Sequence, residues 1–161
     1  MLYSKSAEYA IQALIYLAEK NSPEPVMVSE IAQAYNIPQP FLAKIAQTLA
    51  NQRILKAYRG RNGGFKLARP AEQIYIRQIV KAIDGPGEER CVIGLDLCSD
   101  EQPCPFHKEW MEISRQIQRV LETKDLKTVA HKAMEKRAAM RAAGIQDLIG
   151  TIKKDEDELL P

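Results

Sequence analysis

The sequence has few of the features that define several large classes of protein. It contains only 3 cysteines and 2 histidines in 161 residues, and aromatic residues make up 6% of it. No apolar run approaches the ~18 residues of a membrane span, and residues 1–10 do not form a secretory signal. With 45% hydrophobic and 27% charged residues, the chain is predicted to be one folded, cytoplasmic domain with an extension and no membrane contact.

Motifs of enzyme chemistry are also missing. Gly60, Gly63 and Gly64 lie close together, but no Gly-Lys-Ser/Thr follows them, so they do not form a phosphate-binding loop. No acid–base constellation or substrate-pocket signature predicts an enzyme. The cysteines cannot pair completely and the chain shows no sign of export, so they are predicted to be metal ligands or redox thiols.

Acidic residues are absent from one long stretch. None lies between Glu30 and Glu72, where seven basic residues occur: Lys44, Arg53, Lys56, Arg59, Arg61, Lys66 and Arg69. Residues 1–83 carry 11 Lys and Arg against 5 acids, and residues 84–161 carry 12 against 16. The net charge of +2 therefore hides a basic first half and an acidic second half. Such a basic segment is either a solvated face or a nucleic-acid surface, and the elements around it decide between them.

Three helices are predicted in the first part of the basic half, before residue 53. Apolar residues at spacings of three and four predict an amphipathic helix over residues 7–19. Ser29 is the predicted N-cap of a short helix over Glu30–Tyr35. Pro40 suits the first turn of a third helix, which runs to about Gln52. Two helices joined by a tight turn follow the first one.

Two short strands come next, Ile54–Tyr58 and Phe65–Ala68, and the glycines between them allow a hairpin tip. A further helix over 74–83 completes the first domain, residues 1–83. This order predicts a mainly α fold, a winged helix-turn-helix with a two-stranded β wing. The second helix of the pair would enter the major groove of DNA, and the acid-free stretch coincides with that helix and the wing.

The rest of the chain is predicted to hold a cysteine-containing loop (84–107), a long dimerisation helix with a following helix (108–143), and a C-terminal helix with an acidic tail (144–161). Trp110, Ile113, Ile117 and Val120 follow the a/d spacing of a short coiled coil. This seam is either ordinary core packing or a self-paired helix. Self-pairing would give a homodimer with the two-fold symmetry that a palindromic DNA site requires.

The loop contains every cysteine of the chain. Cys91, Cys98, Cys104 and His107 lie within 17 residues, and these soft donors suffice for one tetrahedral metal or one small iron–sulfur cluster. The gaps of six and five residues between the cysteines are wider than in a zinc knuckle. Wide gaps favour a cluster, because its irons need ligands from separate directions. A zinc site and a thiol redox switch are the alternatives.

At this point several motifs together resemble one family. They are Tyr3-Ser4-Lys5 with Tyr9-Ala10, Ile31-Ala32, Ile37-Pro38 with Leu42, Arg59-Gly60 with Gly63-Gly64, Ala82-Ile83-Asp84, and Pro103-Cys104-Pro105-Phe106-His107 with Trp110. From about Leu2 to Ala139 the chain resembles the Rrf2 family, the winged-helix regulators typified by IscR and NsrR. The resemblance implies a homodimeric transcription regulator whose iron–sulfur cluster senses cluster supply, iron, nitric oxide or redox state.

The resemblance also assigns candidate ligands. It matches Cys91, Cys98 and Cys104 to the cluster cysteines and His107 to the IscR-type fourth ligand. Glu8 matches the position at which NsrR-type members use an acidic ligand from the other subunit. The first cysteine gap is one residue longer than in IscR, and both patterns are present. We favour His107 and a 2Fe-2S cluster over a 4Fe-4S cluster.

DNA contacts are predicted on three elements. They comprise Arg59 and Arg61 on the wing, Gln39, Lys44 and Gln47 on the recognition helix, and Ser4 and Lys5 near the DNA backbone. A function from another class, an iron–sulfur carrier or redox protein with an incidental winged helix, is the remaining alternative. That alternative predicts turnover without promoter binding.

Overall fold

The computed structural model describes residues 3–61, 63–86, 93 and 99–144. Within these residues the chain forms six α-helices, two β-strands and one short 3-10 helix. The elements are α1 (Lys5–Lys20), α2 (Val28–Ala34), α3 (Gln39–Asn51), β1 (Leu55–Tyr58), β2 (Gly64–Leu67), the 3-10 helix (Ala71–Gln73), α4 (Ile76–Asp84), α5 (His107–Thr123) and α6 (Leu126–Ala142).

Helix α1 is the centre of the fold. The Ser4 hydroxyl caps its first turn by accepting a hydrogen bond from the Ala7 amide, and Asn21 ends it in the left-handed conformation. Its apolar stripe is fully buried at Ala10 and Leu14. Helices α2, α3, α4 and α6 all pack against it. The predicted amphipathic helix is confirmed.

Helices α2 and α3 form the predicted pair, with one correction. The N-cap of α2 is Met27, which makes no side-chain cap, so the prediction that Ser29 caps this helix is wrong. The reason is tertiary, because the Val26 backbone pairs with Phe65 and the chain turns directly from this bridge into the helix. The turn to α3 passes through Asn36 at φ 50.

The wing is a two-stranded antiparallel sheet. Its register runs from Leu55 opposite Leu67 to Tyr58 opposite Gly64. A Cβ atom on Gly64 would lie 2.3 Å from the Val26 carbonyl oxygen, so this position needs glycine. The mainly α winged helix-turn-helix with a two-stranded wing is confirmed.

The acidic half joins this domain through α6. A backbone bridge links Tyr75 to Asp125, and the Leu126 amide donates to the Ile74 carbonyl over 2.7 Å. Leu126 and Ala130 are buried in the common core. The predicted C-terminal helix and the acidic tail after Gly144 lie outside the described residues.

Candidate functional site

The surface of α3 carries the first group of candidate DNA contacts. Its buried face consists of Leu42, Ile45, Ala46 and Leu49. Gln39, Lys44 and Gln47 are all exposed, so they project from the protein rather than into it. A recognition helix needs such an exposed polar face to reach base edges and phosphates.

The wing carries the second group. Arg59 and Arg61 are exposed at its tip. Lys56 on β1 is also exposed, and its ammonium lies 5.4 Å from the centre of the Tyr58 ring. Sequence reasoning did not select Lys56 as a contact, although its place in the acid-free stretch was a usable signal. The wing therefore presents three exposed cations.

Ser4 and Lys5 differ from each other in their surroundings. The Ser4 hydroxyl donates a hydrogen bond to Asp84, and the Ser4 amide donates to the second oxygen of that carboxylate over 2.7 Å. Lys5 is exposed, with its ammonium 2.9 Å from Glu8 and 5.3 Å from the Tyr9 ring centre. Ser4 thus ties the start of α1 to the end of α4, which sequence reasoning did not foresee.

Two of the four predicted metal ligands lie next to each other. His107 begins α5 and is only 9% exposed, and its amide donates a hydrogen bond to the Cys104 carbonyl over 2.9 Å. Cys104 is half-buried. Cys91 and Cys98 lie outside the described residues. One turn of backbone at the start of α5 therefore contains Cys104 and His107, the second half of the predicted ligand set.

The His107 ring has a carboxylate partner. Its Nε2 atom lies 2.7 Å from Oδ1 of Asp100, a residue that sequence reasoning did not single out. A carboxylate on one ring nitrogen is the usual companion of a metal-bound histidine, because it fixes the orientation of the imidazole. Together with thiolates, an imidazole held in this way fits both an iron–sulfur cluster and zinc.

Other acidic groups are placed elsewhere. Glu8 lies on α1, where its carboxylate contacts Lys5 and Gln12. In the part of the chain that is described, no three His, Cys, Asp or Glu residues form a metal-binding group. Glu8 as a ligand from a second subunit stays a prediction.

The predicted seam lies along α5. Ile113 is 50% exposed and Val120 is 58% exposed, and Trp110 and Ile117 are half-buried. Leu121, one helical turn after Ile117, packs on the core. The structure thus leaves most of an apolar stripe uncovered in a helix that is otherwise polar.

No helix in the described ranges has the length and apolar character that a membrane span needs.

A helix pair with an exposed polar recognition face, followed by a cationic wing, defines a winged-helix DNA-binding protein. The sequence profile of the Rrf2 family, described as an iron-dependent transcriptional regulator, matches residues 3–132. The chain belongs to the Rrf2 family, so it is a transcriptional regulator and not an enzyme.

Two relatives agree with this assignment. A protein of Aquifex aeolicus classed among HTH-type transcriptional regulators is 37% identical over 121 residues, 73% of this chain and 83% of its own. NsrR of Oceanobacillus iheyensis is 33% identical over 102 residues, 58% of this chain and 69% of its own.

Two solved structures have the same fold. CymR of B. subtilis, the global cysteine regulator, superposes with a TM-score of 0.66 at 26% identity, covering 80% of this chain and 95% of its own. IscR of T. potens superposes with a TM-score of 0.66 at 24% identity, covering 83% and 88%.

Proposed function

We propose that this regulator is a homodimer whose affinity for promoter DNA depends on an iron–sulfur cluster, of the 2Fe-2S type, held by Cys91, Cys98, Cys104 and His107. The observation that carries the proposal is the position of His107. It is buried beside Cys104, has the Asp100 carboxylate on its ring, and begins the helix that bears the exposed seam. Metal binding and dimerisation therefore meet on one helix.

The proposed division of the chain follows the same logic. Residues 1–83 bind DNA, residues 84–107 hold the cluster, residues 108–143 form the dimer, and residues 144–161 form a C-terminal extension. Pairing of the Ile113 and Val120 stripe with that of a second copy removes exposed apolar surface from water. The resulting two-fold axis places two recognition helices on the two halves of a palindromic site.

DNA is bound by the exposed polar and basic groups of three elements. Lys5, Lys44, Arg59 and Arg61 contact phosphates or the minor groove, where cations release counterions and so supply affinity. Gln39 and Gln47 have amides that can pair with base edges in the major groove. Ser4 acts near the DNA backbone through its place at the start of α1.

For the cluster to change DNA affinity, the loop at residues 84–107 must be connected to the DNA-binding domain. A bound cluster would supply redox and ligand-exchange chemistry at its irons. Cluster ligation uses thiolates and ties separate residues of the loop to one another, so the charge and order of the loop change together when the cluster binds. The start of the loop is attached to the DNA-binding half through the contact of Asp84 with Ser4. A tenfold change in DNA affinity requires only ~1.4 kcal/mol between the two states.

A DNA titration under anaerobic conditions tests this function. Duplexes are first selected from a randomised pool by the purified protein, and metal-free and iron–sulfide-reconstituted protein are then titrated on them. We expect visible charge-transfer bands in the reconstituted protein and a different DNA affinity in the two forms. A colourless protein after reconstitution would instead support a zinc site or a thiol switch. Turnover without any DNA binding would support the iron–sulfur carrier.

A further inference from the structure

A polar network connects α6 to the helix-turn-helix pair. Arg137 on α6 is mostly buried, with 22% of its side chain exposed, and its guanidinium forms an ion pair with Glu19 of α1. The same guanidinium donates a hydrogen bond to the Tyr35 hydroxyl over 3.1 Å. Tyr35 is the C-cap of α2 and the first residue of the turn that leads into α3. The Arg137 side chain therefore connects α6, α1 and the end of α2, next to the turn that leads into α3.

The other end of α2 is held in a similar way. The Tyr16 hydroxyl on α1 donates to the Glu30 carboxylate over 2.7 Å, and Lys20 pairs with the same carboxylate. The rings of Tyr16 and Tyr35 meet edge to face with their centres 6.3 Å apart. This geometry is a favourable one for aromatic pairs. Helix α2 is thus fixed at its first turn and at its C-cap.

The pKa shifts of these groups follow from the hydrogen bonds and ion pairs of the network. The hydrogen bond to Glu30 raises the pKa of Tyr16 to about 12, and the contacts with Lys20 and Tyr16 lower the pKa of Glu30. Burial acts to lower the pKa of Arg137, but Tyr35 and Glu19 outweigh it and the pKa is raised. Neutral Tyr16, ionised Glu30 and protonated Arg137 are therefore favoured throughout the neutral range.

The position of the network in the chain gives it a role beyond packing. Helix α6 follows directly on α5, which carries the seam of the proposed dimer, and α3 is the proposed recognition helix. A rigid link from α6 to the α2–α3 turn fixes the direction of α3 relative to the dimer axis. A dimer that reads two half-sites needs that direction fixed, because half-sites are separated by whole turns of the duplex.

We infer that Arg137, through Tyr35, is a positioning residue that sets the half-site spacing read by the two recognition helices. The inference rests on the proposed DNA-binding dimer and adds a specificity function to a residue that is not among the proposed DNA contacts. Arginine suits this role because its planar fork can serve two acceptors at once. Lysine at this position can pair with Glu19 but cannot serve both acceptors in the same geometry.

The test uses a series of duplexes that differ only in half-site spacing. The half-site comes from the randomised pool selected by the wild-type protein. Two conservative variants are measured, Tyr35→Phe, which removes only the hydroxyl, and Arg137→Lys, which keeps the charge. The matched control is Lys132→Gln, which breaks an exposed ion pair with Glu135 on the same helix. A single-half-site duplex reports on the recognition helix alone.

For wild type and Lys132→Gln we expect one sharply preferred spacing. For Tyr35→Phe and Arg137→Lys we expect a broader profile, with about tenfold weaker binding at the preferred spacing, as the loss of a hydrogen bond to a charged group implies. Their affinity for the single half-site should stay at the wild-type value, which a general loss of structure would not allow.

The inference would be overturned if both variants had the same spacing profile as wild type. It would also be overturned if the variants lost affinity equally for duplexes with one and with two half-sites. A wild-type protein that binds no duplex would instead overturn the proposed function. Circular dichroism and dimer mass measured on each variant separate a folding defect from a change of position.

Discussion

The two halves of the chain differ in how completely they bury their apolar side chains. The winged-helix half buries them within one chain, with Leu14, Leu42 and Leu49 almost completely enclosed. Helix α5 leaves Ile113 and Val120 half exposed, and His107 is its one buried residue. A complete core in one region contrasts with an uncovered stripe in the other, and this stripe is the surface on which we propose that a second copy packs.

The same two regions differ in charge and in how their functional groups are held. Lys44, Arg59 and Arg61, the proposed DNA contacts on α3 and the wing, stand on exposed surface. His107 is buried beside Cys104 and has a carboxylate on its ring. Binding to DNA needs cations that solvent can reach, whereas ligation needs donors that are oriented in advance.

The largest expected effect comes from placing charge in the seam. The double variant Ile113→Asp with Val120→Asp should convert the dimer to a monomer, because buried unpaired carboxylates carry a large desolvation penalty. We expect a dimer dissociation constant raised by more than about a hundredfold, measured by sedimentation velocity. Arg115→Glu changes charge on the face opposite the seam and should leave the dimer intact. A dimer unchanged in the seam variant would show that α5 does not form the interface.

The two histidines offer a matched test of the ligand set. His107→Ala should remove or shift the visible absorption bands after anaerobic reconstitution with iron and sulfide. His131→Ala, which alters an exposed histidine on α6, should leave the bands unchanged. If both variants keep the wild-type spectrum, the fourth ligand is another group. Glu8→Gln then tests the alternative ligand from the partner subunit by the same measurement.

Lys44→Ala tests the basic surface with a smaller effect. The variant should bind all duplex sequences more weakly by a similar factor, because a phosphate contact carries no sequence information. The slope of log affinity against log salt should fall by about 0.9, the value expected for one phosphate contact. Lys132→Ala on α6 removes the same charge away from this surface and should preserve the slope. An unchanged slope in Lys44→Ala would remove Lys44 from the interface.

The smallest effect concerns the junction between the two halves. Asp125 caps α6, and its side-chain hydrogen bond with Thr128 lowers the pKa of Asp125 below its usual 3.8. A depressed carboxyl pKa stabilises the fold above the unfolded pKa, and this stabilisation is lost as the pH falls through the folded pKa. Asp125→Ala should therefore lower the free energy of unfolding by about 1 kcal/mol at neutral pH.

Urea unfolding at pH 7 and pH 3 measures this contribution. The difference between wild type and Asp125→Ala should shrink at the lower pH, because below the unfolded pKa of the carboxyl the charge-dependent stabilisation is progressively lost. Asp125→Asn keeps a capping side chain without the charge, so its stability at pH 7 should lie close to that of wild type. A difference between wild type and Asp125→Ala that is equal at both pH values would contradict the role of the charge.

Local patterns allowed most of the fold to be predicted. The stripe of α1, Pro40 in the first turn of α3 and the glycines of the wing act over a few residues, so periodicity and backbone preference suffice to locate them. The predicted Ser29 cap was wrong because the bridge between Val26 and Phe65 brings the start of α2 forward. A pairing between residues 39 positions apart leaves no local signal.

The sequence by itself determined the order of elements, the basic surface and the soft donors of the loop, because each follows from residue type and short spacing. Only the tertiary structure decided that Asp100 meets His107, that Asp84 holds Ser4, and that Arg137 joins Glu19 and Tyr35. These contacts arise when packing of the apolar helix faces brings distant polar groups within hydrogen-bond distance. Their geometry depends on the packed core as a whole and not on any single segment.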